Sequence, residues 1–372
     1  MKALVYESRE KGIVPKTVDT PEVHPGSVIC KVLATSLFTD MMGRLKANAE
    51  PTLFTHPVPM IPGGYSIGRV VAAGPDATKL APGQLVCLET FVRGRDDADV
   101  QIVFGAYDGQ TQASKKLAAE YWRDGPMAEY VRAPLENTWA LDEARLCGSP
   151  SSGGLGYSIP ELVAIPIFTI CYGGMRSIDL KAGETIIVSP ATGQFSMSAV
   201  AIATAIGANV VAVSRNAERL KRLREMFPLV KTVIPTGDVA KDTEAIVKAT
   251  DGGAEVFMDV SPPAAIGSTH LESCMNAVKH YGRICLMGGR ADPTLHINYI
   301  TLVVKSLTIR GQLAFERQDV KGLIRLVESG RLPIGKGAGM PTVAEIPIEQ
   351  FEAALEAVEK DPGIAGFVTL VD

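Results

Sequence analysis

The chain has 372 residues, 46% of them hydrophobic, and a formal net charge of −4. That length predicts two domains, each with enough apolar residues for a core. The mild negative charge argues against nucleic acid or an anionic membrane surface as partner, and no apolar run reaches the ~20 residues that cross a bilayer. The start, Met1-Lys2-Ala3-Leu4-Val5-Tyr6-Glu7, turns charged too early for a secretory leader. Six cysteines without a C-x-x-C pair read as reduced, mostly buried thiols, which predicts a cytoplasmic protein.

In chain order, residues 3–6 alternate and predict a strand, and 20–26 carry the Pro and Gly of a turn. Residues 28–35 predict a second strand. Residues 36–40 open a short helix, with Thr39 or Asp40 as its cap. Residues 61–71 form a turn entering a strand, and Ala81-Pro82-Gly83 is a tight turn before a strand over 84–90. Residues 93–124 are a polar excursion with a helix over 113–123, after which 125–131 return to strand. Strands punctuated by Pro and Gly predict a compact β domain. Residues 149–156 read as a loop, and a helix over 160–178 is expected to kink or break at Pro166.

Residues 184–216 organise the chain. Residues 184–189 form an apolar strand, Pro190-Ala191-Thr192-Gly193-Gln194-Phe195-Ser196 a tight turn, and an Ala-rich helix runs to Ile206, where Gly207 stops it. A second apolar run, Val210-Val211-Ala212-Val213, ends at Ser214-Arg215-Asn216. Strands apolar on both faces belong to a parallel sheet flanked by helices. The intervening turn presents backbone N–H groups at a helix N-terminus, a geometry that holds phosphate. The pattern is an altered dinucleotide fingerprint, in which Gly193 survives while Pro190 and Ser196 take the outer glycine slots. Thr192, Gly193, Gln194, Phe195 and Ser196 are therefore expected to contact a pyrophosphate.

An NAD-binding chain places Asp or Glu at the end of the second strand for the ribose hydroxyls. Here Ser214 and Arg215 stand there, with Arg219 one helical turn on. Arg215 pairs with a 2′-phosphate and Ser214 hydrogen-bonds it, so these residues favour NADP(H); the alternative is a solvated loop arginine beside a surface helix residue. Asn216 caps a helix to Met226, and 231–234 form a short strand. Residues 254–260 form another, which brings Val260 to the sheet's carboxyl edge, where ligands bind. A helix over 264–278 leads to a strand over 284–287, which delivers Gly288 to the same edge. Residues 298–311 read as β-rich, with 307–310 an edge strand for pairing between subunits; 319–329 and 349–360 are amphipathic helices, and 367–370 is a last strand.

Segments along nearly the whole chain resemble one family: Lys2-Ala3-Leu4, Ala34-Thr35 with Thr39-Asp40, Ile61-Pro62-Gly63 with Gly68 and Val70, Pro82-Gly83-Gln84-Leu85-Val86, Gly125-Pro126-Met127-Ala128-Glu129-Tyr130, Leu180-Lys181-Ala182-Gly183-Glu184, the dinucleotide segment, and Gly282-Arg283-Ile284-Cys285-Leu286-Met287-Gly288-Gly289. Together they are similar to the medium-chain dehydrogenase/reductase superfamily, the alcohol dehydrogenase and quinone oxidoreductase group. The resemblance implies an α/β protein: a GroES-like β-barrel catalytic domain over 1–160 and 313–372, and a Rossmann doubly wound parallel-sheet nucleotide-binding domain over 161–312. It also implies a homodimer or homotetramer acting on a small molecule.

Many members of that family hold a catalytic zinc through a cysteine, a histidine and a third cysteine or acid. The resemblance sets Leu37 in the cysteine position, Gly64 and Tyr65 in the histidine and glutamate positions, and residues 165–168 in the region of the third ligand. None of these side chains offers the sulfur, imidazole or carboxylate that zinc needs, residues 93–124 replace the family's four-cysteine lobe, and the five histidines have no ligand spacing. The expectation is an enzyme without zinc. Lacking that Lewis acid, hydride addition to a conjugated C=C is easier than to a ketone, because the substrate's own carbonyl spreads the charge. A hydroxyl or backbone donor would then serve the oxyanion; the hydroxyl candidates are Thr39, by family position but equally a plain helix cap, Tyr65, which either donates a proton or only fills the vacated space, Ser66, and Tyr172, which either donates or simply packs. The leading expectation is an NADPH-dependent reductase of an enone, enoyl group or quinone. A zinc-free carbonyl reductase or alcohol dehydrogenase stands second, and a redox-inactive cyclase, isomerase or binding protein on the same scaffold third.

Overall fold

The computed structural model describes residues 1–37, 43–45, 48, 55–289, 294–360 and 367–371. They fall into two compact units, one holding Met1–Pro166 and resuming at Thr342, the other holding Ile167–Pro341. The divisions lie at 166/167 and 341/342, where the sequence suggested 160/161 and 312/313.

The first unit opens with a hairpin of β1 (Lys2–Ser8) and β2 (Gly12–Thr17); β2, with mostly exposed residues, gave no sequence signal. The long strand β3 (Ser27–Leu37) pairs antiparallel with both β4 (Ser66–Ala73) and β8 (Tyr130–Pro134). β5 (Leu85–Leu88) joins β4 to β9 (Thr138–Ala140), and β6 (Phe91–Arg93) pairs with β7 (Gln101–Val103) beside the helix Gln112–Glu120. Val28, Cys30, Val32, Val70, Val86, Leu88, Ile102 and Phe104 form the core between these strands. Ser36 and Leu37 belong to β3, so the short helix expected from 36 does not begin there.

The helix Ala164–Ser177 follows a 3-10 turn over Pro160–Val163. Pro166 lies in its first turn, where a missing N–H is tolerated, and the α-helix begins at Ala164 rather than at 160.

The second unit is a six-stranded, all-parallel sheet of β10 (Thr185–Ser189), β11 (Asn209–Val213), β12 (Lys231–Val233), β13 (Ala254–Asp259), β14 (Val278–Leu286) and β15 (Thr308–Gly311), ordered β12-β11-β10-β13-β14-β15. That order is the doubly wound one, with its reversal between β10 and β13. Ile187, Val211, Phe257 and Ile284 are fully buried along the central strands. The helix Gln194–Ile206 ends where Gly207 takes φ +93°, a conformation glycine adopts without cost. The helix Ala217–Met226 starts at Asn216, whose side chain accepts from Arg219 N at 2.9 Å. The helix Val239–Ala249, capped by Asp238, has no counterpart in the sequence reading.

Three expectations change at the far edge of this sheet. The helix expected over 264–278 is confined to His270–Asn276, and β14 starts earlier, at Val278. Within the stretch read as β-rich, Tyr299–Val304 is a helix, capped by Asn298, and only Thr308–Gly311 is strand. β15 is the outermost strand, and Tyr299, Ile300, Val303, Val304 and Leu313 beside it are exposed. The helix Arg317–Glu328 opens on a Glu316/Asp319 capping box. The chain then returns to the first unit, where β16 (Thr342–Pro347) pairs with β17 (Phe367–Val371), β17 pairs with β3, and the helix Phe351–Lys360 lies between them in sequence.

All six cysteines are free, five of them buried, and burial pushes the Cys30 and Cys171 thiols up to about 12. Among the described residues no helix is long and apolar enough to cross a membrane. Ile187 touches sheet neighbours on both sides and is fully buried. Ile187→Ala is expected to cost about 2–5 kcal/mol in urea denaturation; a cost below about 1 kcal/mol would contradict this assignment of the core.

Candidate functional site

The reversal between β10 and β13 sends the connections after these strands to opposite faces and leaves a crevice at their carboxyl ends. The turn after β10 is anchored by Ala191 N donating to Val213 O at 2.9 Å. Gly193 is the N-cap of the helix Gln194–Ile206, with extended backbone and no side-chain cap. Gly193 thus offers no side-chain cap to the first turn of that helix, and a helix N-terminus is a place where an anion can bind. A Cβ at Gly193 would meet only Ser196 Oγ, at 3.7 Å. The protein's own packing does not require glycine there.

The other expected residues of the turn divide by role. Gln194 and Phe195 are half-buried and Ser196 is buried against the sheet. The Phe195 carbonyl accepts from Cys171 Sγ at 3.1 Å and from Ser198 Oγ at 2.7 Å, which fixes the first helical turn. Thr192 Oγ1 lies 2.7 Å from Ser214 Oγ, and both side chains are buried. This hydrogen bond ties the turn to the end of β11. Arg215 follows it on the surface, and among the described residues its guanidinium makes no hydrogen bond or ion pair. Arg219 is half-buried one turn on.

On the other side of the reversal, Val260 N donates to Ser189 O at 3.1 Å and links the ends of β13 and β10. Gly288 lies exposed beside it. A Cβ at Gly288 would stand 2.7 Å from Asp259 Oδ2 and 2.9 Å from both N and O of Ser261, so packing alone demands glycine. Asp259, Ser261 and His270 form a buried polar group at this edge. Sequence reading passed over all three, since Asp259 closes an apolar strand and a lone histidine is usually structural; the one available signal is an acid at the carboxyl end of a central parallel strand.

In the first unit, Leu37 closes β3 fully buried, Gly64 is buried and Tyr65 half-buried. The Tyr65 carbonyl accepts from Ser36 N at 3.0 Å and Ser36 Oγ at 3.2 Å. Ser66 is fully buried, and its Oγ makes no hydrogen bond to any described residue. Thr39, like Asp40, lies outside the described residues. Tyr172 belongs to the second unit, where its hydroxyl faces the helix Arg317–Glu328: a Cβ at Gly322 would lie 2.7 Å from it. Burial raises the Tyr172 phenol above its usual range, opposed by Arg176 and reinforced by Asp319. In that placement Tyr172 packs against the helix.

Among the described residues, the positions that the resemblance assigns to the family's zinc ligands offer no sulfur, imidazole or carboxylate. The side chains at the aligned positions are Leu37, Gly64 and Tyr65, and among the described residues no group of three His, Cys, Asp or Glu is placed to hold a metal.

Comparison with known proteins places both units. Residues 24–143 match the family model described as alcohol dehydrogenase GroES-like domain, and 196–329 match zinc-binding dehydrogenase. L-threonine 3-dehydrogenase of Pyrococcus furiosus is 28% identical over 90% of this chain and 89% of its own length. Acryloyl-coenzyme A reductase of Metallosphaera sedula is 23% identical over 100% of this chain and 99% of its own. The crystal structure of AibC shares the fold, with a TM-score of 0.79 at 20% identity over 100% of this chain and 95% of that one. These matches agree with the expected GroES-like and Rossmann architecture.

The two glycines of the crevice separate in stability. Gly288→Ala is expected to lower the melting temperature by several degrees, because backbone must move to admit the methyl group. Gly193→Ala is expected to stay within about 1 kcal/mol of wild type. Equal losses for both would refute the distinction.

Proposed function

The chain belongs to the medium-chain dehydrogenase/reductase superfamily and is an oxidoreductase, and from that premise we propose that it reduces an activated small molecule with NADPH and without zinc. The observation that carries the cofactor assignment is Arg215, an exposed and unengaged guanidinium where a dinucleotide site for NAD carries an acid. A planar cation at that point pairs with a 2′-phosphate. The helix N-terminus at Gly193, whose cap carries no side chain, supports pyrophosphate binding. Arg219 stands one turn from Arg215 and adds positive charge.

NADPH supplies the hydride. Residues of the turn hold its pyrophosphate, Val260 borders the crevice, and Arg215 selects the phosphorylated adenosine. No sulfur, imidazole or carboxylate stands at Leu37, Gly64 or Tyr65 to bind the family's metal, which supports the zinc-free reading. An acceptor that delocalises charge through its own carbonyl is then favoured: an enone, an enoyl thioester or a quinone. A relative named as an acryloyl-coenzyme A reductase fits that choice. In the first unit the hydroxyls of Tyr65 and Ser66 are the described donors for the carbonyl oxygen of such an acceptor. A second reading, a zinc-free carbonyl reductase or alcohol dehydrogenase, draws on the relatives named L-threonine 3-dehydrogenase. Six free thiols suit a cytoplasmic location.

Two measurements test this function. Arg215→Glu is expected to weaken NADPH binding by roughly 10–100-fold, read by nicotinamide fluorescence, while NADH binding is retained; an unchanged NADPH affinity would remove Arg215 from the site. The exposed apolar helix Tyr299–Val304 beside the outermost strand also supports a homodimer or homotetramer. Ile300→Glu with Val304→Lys is expected to lower the sedimenting mass by half or more, and a monomeric wild type would overturn that assembly.

A further inference from the structure

The nucleotide unit buries a polar chain that phosphate binding does not use. Asp259, Ser261 and His270 are 3%, 2% and 5% exposed. The Ser261 hydroxyl donates to Asp259 Oδ1, and Ser261 N donates to the same oxygen at 3.2 Å. Ser261 Oγ lies 2.8 Å from His270 Nε2, and His270 Nδ1 lies 2.8 Å from the hydroxyl of half-buried Ser268. Donor counting sets the roles. A carboxylate only accepts, so the single Ser261 proton points at Asp259 and Ser261 Oγ accepts from His270 Nε2–H. In the neutral ring Nδ1 then accepts from Ser268, an assignment made from the network itself. This is no nucleophilic triad, because the serine proton goes to the carboxylate and not to the imidazole.

The chain ends on backbone that borders the crevice. Met287 N donates to Asp259 O at 3.0 Å, and Gly289 N donates to Ser261 O at 2.9 Å. Gly288 lies between those two bonds, against Asp259 Oδ2. Val260, between Asp259 and Ser261, reaches across the reversal to Ser189 O. Segments 259–261 and 287–289 are therefore tied to one another, and His270 secures the serine at their centre.

We propose that His270 is a positioning residue for the dinucleotide: acting through Ser261, it holds the 259–261 and 287–289 backbone in the geometry that NADPH requires, without touching NADPH. The inference rests on the crevice being the NADPH site. Removing the imidazole leaves Ser261 Oγ without its buried donor, a loss that buried networks do not absorb locally.

The test compares wild type, His270→Ala and His270→Gln, whose amide N–H stands near the Nε2 position. In folded His270→Ala, Kd and KM for NADPH are expected to rise roughly tenfold while kcat stays within about twofold, and amide exchange at Met287 and Gly289 is expected to accelerate. His270→Gln is expected to restore KM. Should His270→Ala not fold, Ser268→Ala removes only the outer partner of the ring and is expected to raise KM by a smaller factor at unchanged kcat. Wild-type KM in the folded variant, or a fall in kcat that glutamine does not restore, would overturn the proposal. A wild type that binds neither NADPH nor NADH would refute the reading of the crevice itself, and this inference with it.

Discussion

The reversal of strand order between β10 and β13 is the constraint on which the nucleotide unit depends. The connections after these two strands leave on opposite faces, so neither covers the strand ends, and backbone polar groups there need other partners. Val260 N donating to Ser189 O and Ser261 N donating to Asp259 Oδ1 meet this need, while Thr192 and Ser214 join side chain to side chain at the same edge. Below the edge the strands are apolar on both faces.

That division explains what the sequence revealed. Strands such as Thr185–Ser189 and Asn209–Val213 were legible because doubly buried strands must be continuous apolar runs. Arg215 was legible because its position is defined by counting from a strand end. The hydrogen bond between Ser214 and Thr192 was not legible, because side-chain direction is not written in the sequence. The helix Tyr299–Val304 reads as strand because Tyr, Ile, Thr and Val carry β propensity, which tertiary context overrode. His270 stayed hidden because its partners, Ser268, Ser261 and Asp259, become a set only once the loop after β13 folds back.

The first unit presents a different balance. Its strands enclose an apolar core, and Leu37 is buried at the end of β3, the position that the resemblance assigns to a zinc ligand. Replacing a thiolate by leucine changes the local demand from charge compensation to packing. What remains polar is hydroxyl: Ser36 bonded to the Tyr65 carbonyl, and Ser66 buried beside it. On the proposed function this unit would stabilise a carbonyl oxygen by hydrogen bonds alone, which suits acceptors that share charge over a conjugated system.

The central claim is that the crevice selects a phosphorylated dinucleotide. Calorimetric titration of the wild-type protein with NADPH and with NADH at low and high salt tests it most directly. The account predicts tighter binding of NADPH by at least about tenfold, with the preference shrinking as salt screens the exposed arginine. Equal affinities, or a preference for NADH, would contradict it.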